Sequence, residues 1–116
     1  MENQIEKQSF EFAVRTVNLY KHLTREYKEF DLFRQFLRSG TSVGANVSEA
    51  QKAQSRADFY AKMYIALKEA NESQYWLRLF YRTRYLTESE YESMKVDIDS
   101  IISLLMAITK SFKKNI

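Results

Sequence analysis

The stretch R-S-G-T-S-V-G-A-N-V-S-E-A, Arg38 to Ala50, decides how this 116-residue chain folds. It holds the only two glycines, Gly40 and Gly44, and carries no charge from Ser39 to Ser48, although 28% of the chain is charged. Two glycines four residues apart suit a loop between short helices. The apolar spacing, however, runs straight through them. Phe33, Phe36, Leu37, Gly40, Val43, Gly44, Val47 and Ala50 form one stripe at helical period. Each glycine costs a helix about 1 kcal/mol against alanine, so something must offset it. The gain is room: either an aromatic from a facing helix fills the gap, or two helices approach closely. The spacing predicts one continuous helix from Asp31, its N-cap, to Ala53.

The rest of the chain is equally helical in character. Proline is absent, glycine almost so, cysteine is absent too, and Leu, Ala, Glu, Lys, Arg and Gln abound. Avoiding both helix breakers this strictly points to an all-α chain, and 116 residues suit one domain, 1–116. Disulfides and thiolate metal sites are excluded. Eight Phe, eight Tyr and one Trp imply a bulky core, a sticky surface or both. The N-terminus is polar and acidic, unlike a signal peptide. The longest apolar run, Ile101 to Ile108, falls far short of the ~20 residues of a membrane span. The expectation is a cytoplasmic protein without membrane contact. A formal charge of +3 permits nucleic-acid binding without establishing it.

Three more helices follow from the same reasoning. The first is expected over Ser9–Tyr27, with a stripe of Phe10, Ala13, Val14, Val17, Tyr20, Thr24 and Tyr27. The third opens after Ser55, where Ser55 with Asp58 resembles a capping box, and ends near Arg84. Its stripe of Phe59, Met63, Ala66, Ala70, Ser73, Leu77 and Phe80 alternates steps of four and three, the seam of a left-handed bundle. Tyr60, Tyr64, Leu67, Trp76 and Leu79 widen that face. Thr87-x-x-Glu90 is a fuller capping box and opens the fourth helix, whose seam is Met94, Ile98, Ile101, Leu105, Ile108 and Phe112. Glu88, Glu90 and Glu92 at its start, and Lys110, Lys113 and Lys114 at its end, complement the helix dipole. Short connections make successive helices antiparallel neighbours. The fold expected is an up-down-up-down antiparallel four-helix bundle.

The outward side of the second helix is unusual. Ser42, Ala45 and Glu49 lie opposite the glycine stripe, with Thr41, Asn46 and Ser48 on the flanks. A solvated face normally carries Lys and Glu. Here ~15 Å of helix carries no charge on any side. Burial on both sides accounts for this: the subunit's own core within, another subunit outside. Asn46 and Glu49 would then be hydrogen-bonded at the interface and fix its register. The plainer alternative is a surface of small residues with no partner.

These residues also carry a resemblance. "SGTSVGANVSEA", followed by "DFYAKMYIALKEANESQYWLRLF" from Asp58 to Phe80, is similar to a bacterial four-helix-bundle family. Its members include proteins encoded by intervening sequences within the gene for 23S ribosomal RNA. The accessory variability protein of diversity-generating retroelements is a more distant relative. The likeness spans nearly the whole chain. Many relatives have glycine directly after the motif glutamate, where this chain has Ala50. The resemblance implies a ring-like homopentamer of four-helix subunits. From the retroelement relative it implies binding to nucleic acid and to a reverse transcriptase.

Catalytic chemistry finds little support. The di-iron pattern of four-helix bundles needs Glu-x-x-His pairs on two helices, and the one histidine, His22, has Leu19 three residues before it. No phosphate loop, nucleophile elbow or zinc signature is present. No metal, cofactor or catalytic residue is therefore expected. Glu69 and Glu72, three apart, read better as hydrogen-bonding groups at an interface, and the motif residues Ser42, Gly44, Ala45, Asn46 and Glu49 as oligomer-interface or packing residues. The basic residues offer more. An antiparallel bundle gathers Lys21, Arg25, Lys28, Arg34, Arg38, Arg78, Arg82 and Arg84 at one end, mixed with Glu26, Glu29, Asp31, Glu88, Glu90 and Glu92. Helix-dipole complementarity and surface ion pairs explain such a mixture. A phosphate-binding rim of Arg34, Arg38, Arg78, Arg82 and Arg84 explains it too, with Tyr81 and Tyr85 placed to stack on unpaired bases or to pack. The function expected is a non-enzymatic oligomeric adaptor binding RNA or single-stranded DNA through that rim. The alternative is a scaffold docking a specific protein.

Overall fold

The computed structural model describes residues 2–114, with side chains as far as Phe112. It contains four α-helices: α1 (Gln4–Glu26), α2 (Phe30–Ala50), α3 (Arg56–Arg82) and α4 (Glu88–Lys114). α2 packs on both α1 and α3, α3 also on α4, and α1 meets α4 least closely. The result is the expected up-down-up-down bundle, 47 × 24 × 21 Å. Among the described residues no helix is long and apolar enough to cross a membrane.

The helix ends follow capping chemistry. Thr87 and Glu90 cap α4 reciprocally: each side chain accepts the other's backbone N–H, at 3.1 and 2.8 Å. At α3 only half of the expected box forms. Ser55 accepts from the Asp58 N–H at 3.0 Å, but Asp58 reaches back to the Gln54 N–H rather than to Ser55. The shorter aspartate arm meets a different donor. α1 starts five residues before the expected Ser9, because Asn3 and Glu6 form a complete capping box. α2 starts at Phe30, and its N-cap is Glu29 without a side-chain bond, not Asp31. Asp31 sits in the first turn, paired with Arg34 at 3.3 Å. α2 ends at Ala50, although the chain keeps turning to Ala53 through tighter bonds to the third residue back. The side chains of Lys113 and Lys114 lie outside those described.

The glycines lie within a continuous helix, and close approach is their reason. A Cβ on Gly40 would stand 2.5 Å from the Thr16 side chain, and one on Gly44 would stand 3.0 Å from the Ser9 carbonyl oxygen. α1 therefore crosses α2 almost at backbone contact, over a seam of small residues. On α2's other side, the buried Ser39 and Ser73 hydroxyls meet at 3.0 Å. Ala66 and Ala70, also buried, keep α3 close. Phe12, Phe33, Phe36 and Phe80 fill the centre, each essentially inaccessible. Phe33 and Phe80 meet edge to face at 5.4 Å, Phe36 and Phe80 at 6.0 Å. Burying each such ring contributes about 1.5–3 kcal/mol.

The expected seams of α3 and α4 are buried as spaced, with Phe59, Ile108 and Phe112 at their edges only partly covered. α1 differs. Its core face is Ile5, Ser9, Phe12, Thr16 and Leu23, while Phe10 and Val14 point outward at 61% and 40% exposure. The glycine seam of α2 demands small partners, and Ser9 and Thr16 supply them. Their hydroxyls are satisfied inside α1, on the carbonyls of Glu6 and Phe12, so burial costs little.

Candidate nucleic-acid interface

The end of α1, the start of α2, the end of α3 and the start of α4 come together at one end of the bundle. Tyr27 after α1, Phe33 of α2 and Tyr85 after α3 meet there, with ring centroids 4.9 and 5.1 Å apart. His22 of α1 approaches Glu90 of α4 at 3.5 Å. A cleft of about 510 Å³ opens between these elements, and Arg82 and Arg84 line it together with Glu26.

The five rim arginines divide by what they touch. Arg34 pairs with Asp31 in its own helix. Arg38 turns across to α3, where it bonds Glu72 at 3.0 Å and stands 3.8 Å from Glu69. Arg78, Arg82 and Arg84 are exposed and make no ion pair among the described residues.

Arg84 occupies a costly backbone position. α3 ends in a Schellman motif: the Tyr85 N–H reaches the Phe80 carbonyl at 2.8 Å and the Arg84 N–H the Tyr81 carbonyl at 3.1 Å. Phe80 and Tyr85 add the accompanying apolar contact. The left-handed residue of this motif is usually glycine. Here it is Arg84, at φ 70°, the only positive φ at a non-glycine among the described residues. An L side chain there costs about 1–2 kcal/mol.

The two tyrosines considered for stacking are both held in packing. Tyr81 lies flat on Tyr91, 4.7 Å apart, and Tyr85 is edge-on to Tyr27, Phe33 and Phe80. A more open tyrosine is Tyr75, 49% exposed on the outer face of α3. That face is unusual as a whole. Its exposed residues are Arg56, Ala57, Ala61, Ile65, Lys68, Asn71, Tyr75, Arg78 and Arg82, with no acid among them. The acids of α3, namely Asp58, Glu69 and Glu72, are all partly covered. Lys68, Asn71, Tyr75, Arg78 and Arg82 follow steps of three and four, so they form one ridge. The sequence alone points to Arg78 and Arg82 but not to Lys68, Asn71 and Tyr75 in line with them. The ridge has the same period as the apolar seam on the opposite side, and that period is the signal that could find it.

Glu69 and Glu72 lie with Arg38 in the groove between α2 and α3. Glu72 accepts from Arg38 and from the Trp76 indole N–H at 3.3 Å. Glu69 is more enclosed, its side chain 13% exposed, and its Oε2 accepts no hydrogen bond. Burial, then the neighbouring Glu72 charge, push its carboxyl above the ordinary range, and Arg38 and Lys68 only partly offset them. In α2 the polar side chains of the uncharged stretch fold back onto their own helix. Thr41 bonds the Leu37 carbonyl, Ser42 that of Arg38, and Asn46 that of Ser42. Ala45, Ser48 and Glu49 remain exposed, and Gly44 and Ser48 border a small cleft beside Phe10. Among the described residues, no three metal-ligating side chains converge.

Comparison with known proteins places this arrangement. A family model described as 23S rRNA-intervening sequence protein matches residues 1–107. The chain is similar to a crystal structure of a protein with unknown function from the S23 ribosomal protein family, from Bacteroides thetaiotaomicron VPI-5482. The two are 57% identical with a TM-score of 0.90, over 92% of this chain and 99% of that one. No curated protein matches. With a family match over nearly its full length and a relative this similar, the chain belongs to the 23S rRNA-intervening sequence protein family.

Proposed function

We propose that this protein is a non-enzymatic, homo-oligomeric adaptor of the cytoplasm that binds nucleic acid, RNA above all, through the arginines at one end of the bundle and the outer face of α3. One observation carries this reading: α3 exposes cations and no acid, and Arg78, Arg82 and Arg84 make no ion pair among the described residues. Unpaired guanidinium groups suit phosphate oxygens. Arg84 supports it further, since a position that favours glycine keeps a cationic side chain beside Arg82.

Self-assembly completes the proposal, with five subunits as the resemblance implies. Exposed Phe10 and Val14 flank the charge-free side of α2, an apolar surface of the sort that marks interfaces. A ring multiplies a modest basic patch by avidity. Light scattering coupled to size-exclusion chromatography, with and without a short single-stranded RNA at low and moderate salt, tests both parts. A pentamer that takes up RNA at low salt is expected, and Ala45→Arg should dissociate it. A pentamer indifferent to RNA would favour a protein partner instead, and a monomer would overturn the assembly.

A further inference from the structure

We infer that the outer ridge of α3 is a track for an unpaired RNA strand, with Tyr75 as the platform on which a base stacks; this rests on the nucleic-acid reading above. Tyr75 is the tyrosine of the cationic region that packing holds least, since Tyr27, 38% exposed, already meets both Phe33 and Tyr85. Tyr81 and Tyr85 are closed by packing, but Tyr75 is 49% exposed. Trp76 meets the Tyr75 ring at 5.1 Å and 75°, and among the described residues Tyr75 makes no other ring contact. With that contact made, Tyr75 remains about half exposed. Lys68 and Asn71 precede it by seven and four residues, and Arg78 and Arg82 follow by three and seven. The tyrosine thus sits midway along a cationic line of about 21 Å.

This arrangement separates two kinds of RNA. Phosphates meet Lys68, Arg78 and Arg82 whether or not the strand is paired. Stacking on Tyr75 needs a base with a free face, which a single strand offers and a continuous duplex does not. The half-buried Glu69 and Glu72 lie toward α2, so no exposed carboxylate interrupts the line. Asp99, on the α4 side, is already bonded to Gln74 and Lys95, each at 2.7 Å.

The test is binding of a fluorescent single-stranded RNA and of a blunt RNA duplex to the full chain and to Tyr75→Ala and Tyr75→Phe. Tyr75→Ala should weaken single-strand binding by about five-fold to a hundred-fold, leave duplex binding unchanged, and keep the wild-type dependence on salt. Tyr75→Phe should bind as the wild type does, because the ring and not the hydroxyl carries the contact. Equal losses on both RNAs, or none on the single strand, would overturn the inference. If the wild type binds single strands but Tyr75→Ala changes nothing, the inference fails alone. If the wild type binds neither RNA at low salt, the nucleic-acid reading fails with it.

Discussion

Helices α2 and α3 each break the usual mixture of surface charges, for opposite reasons. α2 has no charge from Ser39 to Ser48, and much of the cause lies inside the subunit. Gly40 and Gly44 admit Thr16 and the Ser9 backbone, Ser39 meets Ser73, and Thr41, Ser42 and Asn46 bond their own helix. α3 has no exposed acid, and although Arg56 lies over the Tyr60 and Phe112 rings, Arg78 and Arg82 on its outer face make no ion pair among the described residues. A charge anomaly that internal packing explains is a constraint of folding. One that packing leaves unexplained points outward, toward a partner.

The strongest way to break this contrast is to fill the α2 seam. Gly40→Leu would drive a branched side chain into Thr16, which stands only 2.5 Å from a single added carbon. The expected result is loss of the native fold, seen as loss of a cooperative thermal transition; overpacking alone costs about 1–3 kcal/mol or more. Gly40→Ala sharpens the point. Alanine gains about 1 kcal/mol of helix propensity, yet destabilisation by about 1–2 kcal/mol is expected, because Thr16 is stiff and hydrogen-bonded to Phe12. Adding Thr16→Ala should recover part of that loss in a double-mutant cycle, and strict additivity in urea unfolding would contradict direct contact.

On the α3 side the expected stability effects are smaller and can have the opposite sign. Arg84→Gly relieves the left-handed strain and should stabilise the protein by about 1 kcal/mol while weakening RNA binding. Stabilisation with unchanged binding would remove Arg84 from the interface.

Glu69 gives the smallest effect. Its carboxyl titrates above the ordinary range because burial and Glu72 oppose its charge. The native state therefore holds its proton where the unfolded chain has lost it. The associated stability is present in full below about pH 4.3 and is lost as pH rises through the elevated native value. Glu69→Gln should flatten this decline in denaturation curves taken across that window.

Much of the fold was legible in the sequence because local rules and burial agreed. Thr87 and Glu90 capped a helix, and the seams of α3 and α4 kept strict spacing. The α1 face was misread because its partner decides it. Large Phe10 and Val14 looked like core, but the glycine seam of the next helix takes small Ser9 and Thr16 instead. Which arginines are held in ion pairs was not legible. Arg38 meets Glu69 and Glu72 only through the α2–α3 crossing. Tyr75 was overlooked for a related reason: its neighbours Tyr81 and Tyr85 have similar sequence surroundings, and only tertiary packing closes them.

The measurement that bears most directly on α3 as an outward-facing anion site is the slope of RNA affinity against salt for the wild type and for Arg78→Ala with Arg82→Ala. Each lost phosphate contact on a single strand should reduce the slope by about 0.7. The account predicts a drop of about 1.4 per subunit engaged, with unchanged thermal stability. An unchanged slope and affinity in the double variant would contradict it.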